Sequence, residues 1–369
     1  MEHVAGFPVV TSDDAPPPPA VLERAQALGS SIIRAADARE QIVDDLKLDK
    51  QFSLPGANWR PAQGNDYWLL FRLMRSLRWE QIRELRLRCG VFTGHLLTDL
   101  PTVAGMSSVA PIKPNFYRDW DRSYVKASTV HWHFLADEMP EDLLFQPPLV
   151  LGECGWRVGE KLVSPDVVSM QEYINLMYEA GIFEHCCSNP RVLEIGGGYG
   201  GLALALQRIL KPRQYVICDL PESLLMSGLY LFFAQQVPVR LLQETDGSAD
   251  ENAGELLLVP NYLFGRLAGE FDLIVNTLSM SEMTAHQAST YGAGLSRLLH
   301  PRGLFYEQNY DNRHIGFIYC KEYLAPHFAF EVDLSTSTKY PLTHGIPHVR
   351  SHFKFDRRNP MEFAGAAPR

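Results

Sequence analysis

The 369-residue sequence has few cysteines, no C-x-x-C pair, no long apolar run and no surplus of positive charge. The six cysteines (Cys89, Cys154, Cys186, Cys187, Cys218 and Cys320) lack the spacing of a zinc or dithiol motif and the density of a disulfide scaffold. Cys218 lies inside an apolar run that reads as a core strand, so reduced thiols in a cytoplasmic protein are expected. No apolar stretch approaches the ~20 residues of a membrane span. The opening MEHVAGFPVVTSDDAPPPPA has no basic segment followed by an apolar one, which argues against export and against a membrane partner. The formal charge is −9, from 34 basic and 43 acidic residues, so bulk electrostatics give no help to a nucleic-acid partner. Arg72, Arg75, Arg78, Arg83, Arg86 and Arg88 do cluster, but they alternate with Leu73, Leu77, Ile82, Leu85 and Leu87. That is the pattern of an amphipathic helix with a solvated face.

What is present is an ordinary globular composition, 46% hydrophobic and 21% charged, on a chain long enough for two units. The proline run Pro16–Pro19 follows an acidic stretch, so residues 1–20 are expected to be a flexible tail. Residues 21–163 are expected to form a mainly helical domain for substrate or oligomer contacts. Its helices span about Val21–Leu46 and Tyr67–Cys89, the second ended by Gly90. Within it, Thr129–Phe134 (TVHWHF) has the alternation of a strand, which would put His131 and His133 on one face. Ser164-Pro165-Asp166 supplies an N-cap, a first-turn proline and a first-turn acid, predicting a helix over 165–180.

From Arg191 the chain alternates strands and helices, the pattern of a parallel sheet with crossover helices. The predicted strands are Arg191–Ile195, Tyr215–Cys218, Leu256–Val259, Phe271–Asn276 and Gly303–Gln308, with Val237–Leu242 an alternative for the third. Phe328–Leu334 and His348–Phe355 read as a closing antiparallel hairpin at the sheet edge. The unit as a whole is taken as 164–357, and 358–369 as a C-terminal tail.

RVLEIGGGYGG (191–201) is a strand, a glycine turn and the start of a helix, an arrangement that brings backbone and free N–H groups close to a nucleotide. Its glycines also satisfy G-x-G-x-x-G, so a dinucleotide-dependent oxidoreductase is a rival reading. Glu194, two positions before Gly196, favours a ligand carrying an ammonium group, since a carboxylate there repels a pyrophosphate. Asp219 follows the next strand, nineteen residues after Gly200, where a carboxylate can accept two ribose hydroxyls.

The ordered segments RVLEIGGGYGG, ICDLPESLLMSGLYL, FDLIVNTLSMSEM and PRGLFYEQN resemble those of class I S-adenosylmethionine (SAM) dependent methyltransferases. Within that class they are most similar to a bacterial sugar O-methyltransferase family. The resemblance covers about residues 165–356. It implies a Rossmann-like α/β fold whose seven-stranded, mostly parallel sheet has a reversed last strand, with SAM across the C-terminal strand edges. Carried over by position, Glu194, Gly196, Gly198 and Gly200 hold the methionine side and Asp219 the ribose. Asn261 falls near the adenine, and Asn276 ends the fourth strand beside the cofactor. Ser279, Ser281 and Glu282 would then lie near the transferred methyl. A sugar hydroxyl is weakly acidic, so a general base is valuable. Glu282 is the first candidate, His286 the second if one helix carries both, and Glu307 and His314 follow. The predicted activity is O-methylation of a glycan, nucleotide-sugar or glycosylated metabolite. N-methylation of an amino sugar and a SAM-binding protein without turnover are the rivals. A second copy of the chain is the other partner considered. His131/His133 and His344/His348/His352 lack Cys or carboxylate partners at ligand spacing, so no metal is expected.

Overall fold

The computed structural model describes residues 3–12, 15–56, 59–60, 66–89, 119–137, 139–235, 237–246, 255–328, 330–333 and 348–353. The expected tail 358–369 and His344 lie outside them. The described strands are β1 (His3–Val4), β2 (Phe7–Thr11), β3 (Cys154–Val158), β4 (Lys161–Val163), β5 (Arg191–Ile195), β6 (Gln214–Asp219), β7 (Val239–Leu241), β8 (Glu255–Pro260), β9 (Phe271–Thr277), β10 (Leu299–Asn309), β11 (Phe330–Asp333) and β12 (His348–Phe353). The first four form an antiparallel sheet in chain order. The other eight form a Rossmann-like sheet in the order β11-β12-β10-β9-β5-β6-β8-β7.

Six consecutive strands of that sheet, β10 to β7, are parallel. Parallel sheets need cover on both faces, which explains the near-continuous apolar runs. Alternate residues serve two cores. Val192, Tyr215, Ile217, Leu256, Leu258, Leu273 and Val275 face helices Pro165–Glu179, Gly201–Leu210 and Pro221–Gln235. Leu193, Ile195, Val216, Cys218, Leu257, Val259 and Ile274 face helix Ala285–Leu298 with Tyr291, Leu295 and Leu298.

The sheet corrects one expectation. It has eight strands rather than seven, because Val239–Leu241 and Glu255–Pro260, treated as alternatives, both pair, with β7 parallel to β8 at the edge. The closing strands form an antiparallel pair at the sheet edge as expected, with β11 outermost. β12 inserts between β10 and β11, antiparallel to each, because β10 offers a free edge from Leu304 to Asn309.

The N-terminal region departs further from its reading. Residues 3–11 are strands: Val9 pairs with Trp156 and Thr11 with Cys154, and Val4 is buried. The prolines follow them and start helix Pro19–Asp37, where a missing N–H is harmless. That helix buries Ala25, Gly29 and Ile32 and packs on Pro221–Gln235. The arginine-rich stretch is three helical pieces, Asp66–Met74, Trp79–Ile82 and Leu85–Arg88, broken where Leu77 takes a φ of +50°. TVHWHF belongs to helix Asp119–Asp137, so His131 is buried while His133 is exposed, and the shared face is lost. The region between 21 and 163 therefore mixes helices with strands β3 and β4. Helix Pro165–Glu179 begins as its capping sequence predicts, with the Val167 amide donating to Ser164 Oγ at 3.2 Å. Among the described residues no helix is long and apolar enough to cross a membrane.

Candidate active site

The C-terminal ends of β5, β6, β8, β9 and β10 lie side by side, and the residues singled out from the sequence fall on them. The turn after β5 is possible because Gly196, Gly198 and Gly200 take φ values of +78°, +55° and +93°. The first and second differ in surroundings. A Cβ on Gly196 would stand 2.0 Å from Ser279 Oγ, whereas a Cβ on Gly198 would meet nothing within 4 Å. Gly196 is thus a packing glycine and Gly198 borders open space.

Two carboxylates flank this loop. Glu194 is buried at 2% exposure and accepts from the Tyr215 hydroxyl at 2.9 Å. Loss of hydration pushes its carboxyl up to about 7, against the Tyr215 hydrogen bond, with Asp219 adding repulsion. Asp219 accepts from the Gly198 amide at 3.1 Å and the Leu220 amide at 2.7 Å. Burial pushes it up to about 7 as well, although those amides favour the charged form. A positively charged ligand group beside them would favour ionisation of both.

Asn261 follows Pro260, which is in register with Asp219. Its Nδ2 donates to the Ser53 carbonyl at 3.0 Å, while its buried Oδ1 has no hydrogen-bond partner among the described residues. A buried acceptor of this kind suits an incoming amine. Asn276 is spent on protein partners. Its Nδ2 donates to the Ile195 carbonyl at 2.8 Å and to Ser279 Oγ at 2.6 Å, and its Oδ1 accepts from Asn309 Nδ2 at 2.8 Å. With both amide hydrogens engaged and no exposed surface, Asn276 bolts β5, β9 and β10 together behind the loop.

On the other side of the loop, Leu278 takes a φ of +63° and the chain turns through a short 3-10 segment, Met280–Glu282. Glu282 is half-buried, and burial pushes its carboxyl up to about 7 despite a hydrogen bond from the Trp59 indole. Helix Ala285–Leu298 begins only after Thr284, capped by a Thr284–Gln287 capping box. Glu282 and His286 therefore do not share a helix, and the basis for placing His286 beside the methyl is removed. His286 is exposed, its Nε2 lying 2.5 Å from Asp49 Oδ2. Buried Glu307 accepts from Asn309 Nδ2 at 2.6 Å and Cys320 Sγ at 3.1 Å, and exposed His314 contacts the Asp311 carbonyl.

Sequence reasoning missed residues 49–54 and Trp59, which reach this edge from the N-terminal region. Gln287 Nε2 donates to the Phe52 and Leu54 carbonyls at 3.2 and 3.0 Å, Asn261 holds Ser53, His286 meets Asp49, and Trp59 reaches Glu282. These partners are more than 200 residues apart in the chain, beyond any local pattern. Tyr215 was findable, since it sits on the same face of β6 as Val192 and Glu194 occupy on β5.

No protein-family profile matches the chain, and no curated protein does. Solved structures overlap it at low identity. One is a SAM-dependent methyltransferase from Clostridium acetobutylicum, 13% identical, covering 63% of this chain and 100% of its own at a TM-score of 0.35. Another is the N-methyltransferase NodS from Bradyrhizobium japonicum, 13% identical over 51% and 97% at 0.35. A third is the magnesium protoporphyrin IX methyltransferase of Synechocystis with bound S-adenosylhomocysteine (SAH), 14% identical over 50% and 82% at 0.33. Overlaps of this depth say nothing about activity, which has to come from the residues themselves.

Proposed function

We propose that the chain is a SAM-dependent methyltransferase whose acceptor is a sugar hydroxyl. The observation that carries the cofactor half is the pair of carboxylates, buried Glu194 and half-buried Asp219, set on adjacent strand ends either side of an open glycine turn at Gly198. Glu194 would take the ammonium of the methionine part and Asp219 the ribose hydroxyls, with Asn261 Oδ1 left for an adenine amine. Bound SAM would supply an electrophilic methyl group on its sulfonium. Glu282 would take the acceptor oxygen's proton onto its carboxylate as that oxygen becomes a methyl ether and the donor, its S–CH3 bond broken with the electron pair on sulfur, is left as the neutral thioether SAH. A carboxyl at about 7 is matched to that task near neutral pH. The sugar acceptor is supported by the resemblance of the D-L-P and S-x-S-E-M segments. An acceptor role for the N-terminal region is supported by the reach of Trp59 to Glu282.

Calorimetry with SAH and with NAD tests the cofactor reading. SAH is expected to bind and NAD not to. Asp219→Ala should weaken SAH by about tenfold to a hundredfold, the range for hydrogen bonds to a charged group, without unfolding the protein. A folded Asp219→Ala protein with unchanged SAH affinity would remove the ribose assignment. Transfer of label from SAM to sugars or amino sugars then decides between O- and N-methylation.

A further inference from the structure

In residues 196–201 five of six are glycine, so Tyr199 carries the loop's only side chain. Glycine gives a turn its shape but no grip, and a loop so composed can be fixed from its side chains at one point alone. Tyr199 is buried at 3% exposure. Its ring folds back over Gly201, where a Cβ would stand 2.2 Å from the Tyr199 hydroxyl, and meets Tyr230 edge-on at 5.4 Å. Across its face lies the guanidinium of Arg86, 3.7 Å from the ring centroid.

Arg86 is itself held rigidly. Its Nε donates to Glu153 Oε2 and its NH2 to Asp166 Oδ2, each at 2.8 Å, and all three side chains are buried. The Arg86 amide donates to the Leu151 carbonyl, and the Glu153 carbonyl accepts from Ser12. Four separated stretches of chain (86, 153, 166 and 199) therefore meet at one buried cation. A planar guanidinium oriented by two carboxylates is a fixed plate against which an aromatic ring registers.

We propose that Arg86 is a positioning residue for the cofactor loop, setting through the face of Tyr199 the backbone from which the Gly198 amide reaches Asp219. The proposal rests on the cofactor reading above and makes SAM affinity a property of the N-terminal region as well as of the sheet. Its test compares Tyr199→Phe, which keeps the ring, with Tyr199→Leu, which keeps apolar bulk and leaves the ion cluster intact. Thermal unfolding, SAH titration, and KM for SAM against kcat are measured for each. Tyr199→Phe is expected to bind SAH within about twofold of wild type, and Tyr199→Leu about tenfold more weakly, the size of a desolvated cation–ring contact expressed as affinity. KM for SAM should rise in Tyr199→Leu with kcat retained, a split that mere loss of folded protein does not produce. Arg86→Lys, which keeps the charge without the plate, should resemble Tyr199→Leu. A folded Tyr199→Leu protein with wild-type SAH affinity overturns the proposal while leaving the cofactor reading intact. Failure of wild-type protein to bind SAH overturns both.

Discussion

The two sides of the sheet's C-terminal edge are built on different principles. Over β5 and β6 the site is a glycine turn flanked by two carboxylates, buried Glu194 and half-buried Asp219, with Arg86 stacked on Tyr199 behind them. Over β9 and β10 it is side chain: the Asn276–Asn309–Glu307 network below, and above it Glu282 under residues 49–54 and Trp59. The first side fixes geometry from the interior and tolerates little. The second combines a buried bolt with an exposed rim at His286 and Asp49, where substitution is absorbed. On the proposed function, a methyl donor common to many reactions suits the rigid side, and an acceptor that sets specificity suits the other.

The sharpest way to break this contrast lies within the loop. Gly196→Val adds a branched side chain at a φ of +78° and against Ser279, and should cost about 2–4 kcal/mol in stability with loss of detectable SAH binding. Gly198→Val meets open space, so it should cost only the backbone strain, about 1–2 kcal/mol, and lower SAH affinity in a folded protein. Equal destabilisation of both in thermal melts would dissolve the distinction between a packing and a ligand-facing glycine.

Glu282→Gln should lower kcat by about 10²–10⁴-fold while SAH affinity holds. The carboxyl at about 7 must be ionised to accept a proton, so wild-type rate falls as pH drops through about 7, and the variant loses that limb. Near wild-type turnover in Glu282→Gln would move the search to Glu307. A smaller effect is expected from pH on binding. Glu194 and Asp219 stand at about 7, and the ligand favours their charged forms, so SAH affinity should weaken below about pH 7, approaching tenfold per pH unit for one coupled proton. For the ligand-free protein the sign is opposite. Raised carboxyls contribute most below their unfolded values near 4, and that contribution is lost as pH rises towards 7. Flat SAH affinity from pH 6 to 8 would count against both carboxylates as ligand groups. The least effect belongs to His286→Ala, which removes an exposed pair and should change stability by under about 1 kcal/mol and leave kcat near wild type.

How much of this could be read in the sequence depends on distance along the chain. β5 was legible to the residue, because its apolar run is bracketed by Pro190 and Gly196, and Ser164 announces its helix through a local hydrogen bond. TVHWHF misled because six residues of β-branched and aromatic character satisfy a period of two. The wider window buries Val125, Ser128, Thr129, Trp132 and Leu135, which is the period of a helix. Arg86 looked like one of six solvated arginines. Periodicity records that a residue is buried, never which partner it meets, and its carboxylates lie 67 and 80 residues away. The expected roles of Asn276 and Asn261 differ for the same reason: nothing local tells an amide spent on Ile195 from one whose oxygen is left over.

The insertion of β12 between β10 and β11 also bears on how the chain is made. Synthesis delivers β10 long before the strand that covers it, so a nascent chain not yet past residue 348 carries β10 from Leu304 to Asn309 with its outer edge unpaired. Its apolar members Phe305 and Tyr306 make such an edge a template for another chain. A truncation ending before His348 is therefore expected to leave that edge unpaired and to yield more insoluble protein than the full chain.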